Sequence, residues 1–139
     1  MHWSRYLLPL VVSQAHLVST QLPSTRPELY SPLIASKVDV IALSKPSPAS
    51  YPEYTDNVEG IWQYFTPTTW TSGFFPALLY LLDTRNKLCP TPNASDWLAL
   101  ARDWSLGLVA LEDDKNLDHD VGFLSYPFQQ ELLVYGRIT

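Results

Sequence analysis

The stretch from Leu117 to Phe128, LDHDVGFLSYPF, sets two aspartates on either side of an imidazole and follows them with a Gly-Phe step. Carboxyl groups this close perturb each other. A like charge raises the pKa of one carboxyl, and partial burial beside Phe123 would raise it further. An acid held protonated near neutral pH can deliver a proton to a sugar. A simpler role is equally available to the same residues: Asp120 as the N-cap of the next helix, accepting backbone N–H groups where an acid also suits the helix dipole. A metal site fits less well, because two Asp and one His within three residues converge poorly on one ion. Ser-His-Asp chemistry lacks its Gly-x-Ser-x-Gly elbow.

A second block, Trp70-Thr71-Ser72-Gly73-Phe74-Phe75-Pro76, ends 42 positions before Asp118. Trp70 reads either as an apolar anchor at a helix start or as a stacking platform at the mouth of a pocket. Gly73 would then permit close backbone approach. Aromatic residues make up 13% of the chain, with five Trp and eight Tyr. Such rings fill cores, and they also line sugar clefts, where a ring face covers the C–H face of a pyranose.

The elements that must carry these residues follow from periodicity. Residues 16 to 31 are rich in Ser, Thr and Pro and read as an extended lead-in. Pro32 to Leu43 has apolar residues at Leu33, Ile34, Val38, Ile41 and Ala42, the spacing of an amphipathic helix, and a Pro-rich stretch then stops it. Residues 51 to 70 sustain neither period and read as an ordered aromatic loop with room for a short strand pair. A second helix is expected from Thr71 or Ser72, either one its N-cap, with Pro76 in the first turns where a missing N–H costs least. A third is expected over Ser95 to Ala110, capped by Asn93 or Ser95, with Trp97, Leu98, Ala101, Trp104 and Leu108 on one face. A loop from Leu111 to Gly122 leads to a fourth, over Phe123 to Val134. The fold class is all-α. Its loops exceed the 2 to 8 residues usual in bundles, which suggests a larger helical architecture whose loops build a cleft.

Composition narrows the function classes. The chain has 139 residues, 46% hydrophobic and 17% charged, enough for one domain with a core. Net charge is −5 without a basic run, which argues against a nucleic-acid surface. Cys89 is the single cysteine, so disulfide and zinc frameworks within the chain are excluded. No apolar run reaches the roughly 18 to 20 residues of a membrane span. Residues 1 to 15 carry Arg5, a short apolar run and small residues, a weak signal-peptide pattern that predicts secretion; without it the expectation is a cytoplasmic protein. Asn93-Ala94-Ser95 is a glycosylation triplet that matters if the chain is secreted.

Taken together, TTWTSGFFPALLYLL, SDWLALARDWSLGLVALE and HDVGFLSYPF resemble glycoside hydrolase family 88, the unsaturated glucuronyl hydrolases, over about Tyr51 to Val134. The order and spacing of WTSGFFP and HDVGF carry the resemblance. It implies an (α/α)6 barrel of six helical hairpins, of which residues 32 to 139 would form about the first third, truncated at the C-terminus. It implies hydration of the C4=C5 bond of an unsaturated uronic acid at the non-reducing end of an oligosaccharide: a carboxylic acid protonates C4, water adds at C5, and the hemiketal opens to release the saccharide. No metal or other cofactor is implied. Matched position by position, Asp120 is one of two catalytic aspartates, and Trp70, His119 and Phe123 are substrate-pocket residues. Asp118 is left as an ordinary loop acid. The second aspartate belongs to a later hairpin of the family, and here the only acid after Asp120 is Glu131. Of the basic residues that would hold the uronate, Arg137 alone follows. The expectation is therefore an inactive fragment of such an enzyme. The alternative is a non-catalytic carbohydrate-binding or interaction module using Trp62, Tyr64 and Trp70 as its platform.

Overall fold

The computed structural model describes residues 31–44 and 50–136. The expected signal peptide, nearly all of the lead-in, and Arg137 lie outside them. One compact unit begins at Pro32. Its elements are α1 (Pro32–Leu43), β1 (Tyr51–Thr55), β2 (Trp62–Phe65), α2 (Phe74–Leu88), α3 (Trp97–Val109), a 3₁₀ turn (Ala110–Asp113), α4 (Val121–Leu124), α5 (Tyr126–Gln130) and a π-helical turn (Glu131–Tyr135). The unit is mainly helical with one small sheet. None of the described helices is long and apolar enough to cross a membrane.

Trp104 on α3 is the point to which the other elements are tied. It is fully buried, and its indole Nε1 donates to the Ala42 carbonyl of α1 at 3.2 Å. Its own carbonyl accepts the Tyr51 hydroxyl of β1 at 2.6 Å. The Phe75 ring of α2 packs edge-on at 4.6 Å between centroids, and the Tyr51 ring at 5.7 Å. A buried indole and phenol keep their hydrogen-bonding groups satisfied while contributing large apolar area, which is why such residues anchor small cores. Burial raises the Tyr51 pKa further above its ordinary value.

The remaining core follows the helical periods. α1 buries Val38, Ile41 and Ala42, but Leu33 and Ile34 are exposed, so the apolar face of this helix is narrower than its sequence implies. α2 buries Phe75, Pro76, Leu79, Tyr80 and Leu82, and α3 buries Trp97, Ala101, Trp104, Ser105 and Leu108.

The aromatic loop forms an antiparallel hairpin, with Tyr51 opposite Phe65 and Thr55 opposite Trp62, and a bulge between Pro52 and Tyr54. Its turn is organised by one side chain. Asp56 accepts the backbone N–H groups of Val58, Glu59 and Ile61 at 2.9, 2.7 and 2.9 Å. Gly60 takes the positive φ of 69° that the turn requires. Those N–H donors stabilise the carboxylate and lower the Asp56 pKa.

The expected helix caps are corrected. Ser72 is buried and its hydroxyl donates to the Thr66 carbonyl at 3.0 Å, while the Thr71 carbonyl accepts from Phe74 at 3.0 Å; the N-cap of α2 is Gly73, without a side-chain bond. Successive turns from Thr66 to Gly73 already lead the backbone into α2, so no side-chain cap is required. At α3 the cap is Asp96, whose carboxylate accepts from Ala99 at 3.0 Å. Ser95 instead donates to Asp39 of α1, and Asn93 sits in a turn at φ 57°.

The fourth helix is also corrected. In place of one helix over Phe123 to Val134 the chain makes α4, a break at Ser125, α5 and the π-helical turn. Pro127 causes the break: it lacks an N–H for the Phe123 carbonyl and its ring opposes a helical residue before it. At the start of α5 the same ring is tolerated. The Ser125 hydroxyl closes the interrupted turn on the Gly122 carbonyl at 2.7 Å. Gly136, at φ 65°, ends the last turn in the left-handed conformation typical of a helix C-terminus.

Candidate functional site

Two segments 50 positions apart, the turn before α2 and the short helix α4, are in close backbone contact at Gly73. A Cβ placed on Gly73 would lie 2.1 Å from the Phe123 carbonyl oxygen and 2.9 Å from the Leu124 Cα. The glycine expected to allow close approach is thus the residue on which α4 rests. Its contact is the carbonyl that Pro127 cannot satisfy, so two sequence features 54 positions apart meet at one point.

Four rings seal this junction. Trp70 packs edge-to-face on Phe74 and Phe123, at 5.7 and 5.8 Å between centroids. Phe74 and Phe123 lie 5.5 Å apart, and Tyr126 meets each of them at 5.7 Å. Rings in these arrangements gain about 0.5–1.5 kcal/mol per pair beyond the area they bury.

Beside the rings is a cleft of about 230 Å³ lined by Thr68, Thr69, Trp70, Leu117, Asp118, Asp120, Val121 and Leu124. One wall carries two hydroxyl side chains and an indole; the other carries two carboxylates and three aliphatic groups. Trp70 remains 48% exposed, enough for its face to meet a ligand.

Of the expected site residues, Trp70 and Asp120 line the cleft and His119 and Phe123 do not. Phe123 supports Trp70 from behind. His119 is largely solvent-exposed. Its Nδ1 lies 2.6 Å from Asp118 Oδ1 and its Nε2 lies 3.6 Å from Asp120 Oδ2, so the ring bridges the two acids from the outer side. The pairing raises the His119 pKa, chiefly through the hydrogen bond to Asp118 and then through the charges of Asp118 and Asp120. Asp118 is lowered, first by the backbone N–H of His119 and then by its ring. Asp118, read from sequence as an ordinary loop acid, is itself a lining residue.

The capping role for Asp120 is corrected. Asp120 stands at the N-cap position of α4, but its side chain accepts no backbone N–H; only its carbonyl does, from Phe123 at 2.9 Å. Its backbone, at φ −79° and ψ 4°, lies outside the extended region that a capping residue usually adopts. Its carboxylate is therefore available to the cleft and to His119.

Comparison with family models, with curated proteins and with solved structures returns no match. The functional reading rests on the residues of the site.

Sequence reasoning missed Thr68 and Thr69 as lining residues, although the Thr-Thr pair directly before Trp70 marks a polar turn. It also left Glu131 without a role. That residue is buried, and Arg102 of α3 binds it through Nε at 3.2 Å and Nη2 at 2.5 Å. Glu131 also takes part in raising the Tyr80 pKa, second to burial of the phenol. It lines a different, small recess with Tyr80, Arg102, Ser105 and Phe128. Glu131 is a buried acid paired with Arg102 and lies outside the residues that line the cleft.

Proposed function

We propose that this chain is a portion of a glycosidase-related protein resembling glycoside hydrolase family 88, in which Asp120 is one of two carboxyl groups that hydrate the C4=C5 bond of an unsaturated uronic acid. The observation that supports it is the meeting of Trp70 and Asp120 in one cleft, joined at Gly73, as the family pattern requires of those two blocks. Trp70 offers a face for the sugar ring, Thr68 and Thr69 offer hydroxyls for its oxygens, and Asp120 offers a proton-transfer group. In the (α/α)6 barrel that the resemblance implies, α2 and α3 would form one of the helical hairpins. Glu131 is committed to Arg102, so the second acid is expected from outside these residues and the chain alone binds without turnover.

Titrating the chain with an unsaturated uronic-acid disaccharide while following tryptophan fluorescence tests this. Quenching that is lost in Trp70→Ala supports the reading; no binding, or binding unchanged by that substitution, overturns it. In a longer polypeptide containing this sequence, loss of the ultraviolet absorbance of the unsaturated uronide should follow turnover. Asp120→Asn should abolish that loss with helical content intact.

A second reading has its own observation. Trp62 and Tyr64 alternate along β2 and therefore share one face of the hairpin, and both are exposed. A non-catalytic carbohydrate-binding module would use that face, and its binding would survive Asp120→Asn while falling in Trp62→Ala.

A further inference from the structure

The connection between α2 and α3 lies at the other end of the unit from the cleft. α2 starts at Phe74 beside the cleft and runs 15 residues, which at 1.5 Å per residue places its C-terminus about 22 Å away. From that end onward, Leu88, Cys89, Pro90, Thr91, Pro92 and Asn93 are all exposed.

The loop is ordered by its own chemistry. Asn86 accepts the Thr91 N–H on its side-chain oxygen at 3.0 Å, which ties the loop back to α2. The Ala94 N–H then reaches the Thr91 carbonyl at 3.3 Å. Proline at the second position and φ 57° at the third are the signature of a type II turn, in which Asn is one of the few residues other than Gly accepted at positive φ. Asn93 thereby stands at the apex of the turn, exposed. It opens Asn-Ala-Ser, the one triplet in the sequence with Asn followed two positions later by Ser or Thr.

We propose that Asn93 is the acceptor of an N-linked glycan. The donor is a lipid-pyrophosphate-linked oligosaccharide. The Asn93 side-chain nitrogen forms a bond to the anomeric carbon of the first sugar, the bond from that carbon to the phosphate oxygen breaks, and the lipid pyrophosphate leaves with the electron pair. The amide proton passes to a base of the transferase. Three observations converge on this residue: the triplet, the exposure of Asn93 at the tip of a turn that tolerates its backbone conformation, and a location remote from the cleft, where a large saccharide leaves the site open. The first sugars would lie over Leu88, 78% exposed, and its exposed neighbours Cys89 and Pro90, covering apolar surface that the protein leaves bare. The Ser95 hydroxyl donates to Asp39 of α1 in the folded chain, so transfer takes place before α1 docks.

The test is to produce the full chain through a eukaryotic secretory pathway and to weigh all of it, secreted and retained, before and after peptide-N-glycosidase treatment. One glycan mass is expected in the parent chain, with conversion of Asn93 to aspartate on release. Asn93→Gln should carry none, and Ser95→Thr, which keeps a hydroxyl for both the transferase and Asp39, should retain it. An unmodified parent chain, or a glycan that persists in Asn93→Gln, overturns the proposal.

Discussion

Two acids of this protein, Glu131 and Asp120, lie 11 positions apart and are used in opposite ways. Glu131 is buried, with Arg102 on two of its bonds and Tyr80 beside it. The Asp120 carboxylate lines a cleft, makes no capping bond to α4, and has the His119 imidazole 3.6 Å away. A buried carboxylate persists only where donors compensate its lost hydration, and those donors then fix it. A rim carboxylate keeps water as a partner and can exchange it for a ligand. The first arrangement locks the chain after α5 onto α3; the second leaves a carboxylate at the surface of a cleft. The contrast separates a buried, paired acid from a cleft-lining one, which residue type and position do not.

The largest effect that would break this contrast is expected at the buried member. Glu131→Ala removes the acceptor of Arg102 and a neighbour of Tyr80. It should cost about 3 kcal/mol, the low end for breaking a buried ion pair, because Arg102 is 38% exposed and can turn to water. Urea denaturation checks this, and a loss below about 0.5 kcal/mol, the level of an ordinary surface substitution, would return Glu131 to the class of dispensable acids. Gly73→Ala acts on both regions: the added methyl meets the Phe123 carbonyl, so α4 must move. A loss of about 2 kcal/mol is expected from such overpacking, together with an altered Trp70 fluorescence maximum as Phe123 leaves its ring.

The smallest effect sharpens the contrast. Asp118→Asn should leave the denaturation midpoint unchanged and lower the His119 pKa, read by NMR titration of the imidazole. In the parent chain His119 is raised and Asp118 lowered by one another. The His119 contribution to stability is fully present below the ordinary histidine pKa and is lost as pH rises through the elevated folded value. The Asp118 contribution is present above the ordinary carboxyl pKa and is lost as pH falls through its depressed folded value. The pair is thus favourable between those two limits, and both exposed partners make it a weak and salt-sensitive one. An unmoved His119 titration in Asp118→Asn would show that the ring owes its charge to Asp120 instead.

Legibility in the sequence varied with the distance over which each feature is decided. α1 falls on Pro32–Leu43 as its periodicity requires, and α2 and α3 start two or three residues later than expected. The hairpin was legible only as a possibility among aromatic residues, since its strands have no sustained alternation and its register depends on a bulge. Ser72 and Ser95 have the chemistry of caps, yet each hydroxyl donates to a group elsewhere, on Thr66 and Asp39. Trp70, Gly73 and Asp120 were singled out from their blocks and lie at or beside the cleft, whereas it was not legible that Asp118 would line it and His119 would not.

The amino-acid sequence by itself determined where the first three helices are favourable and which residue types could transfer a proton. These follow from backbone sterics and from apolar spacing within a few residues. The tertiary structure alone decided that the Phe123 carbonyl rests on Gly73, that Arg102 claims Glu131 across 29 positions, and that Asp118 turns into the cleft while His119 turns out. Those outcomes depend on how α2, α3 and the segment after Asp120 pack, because a side chain's partner is set by the surface brought against it.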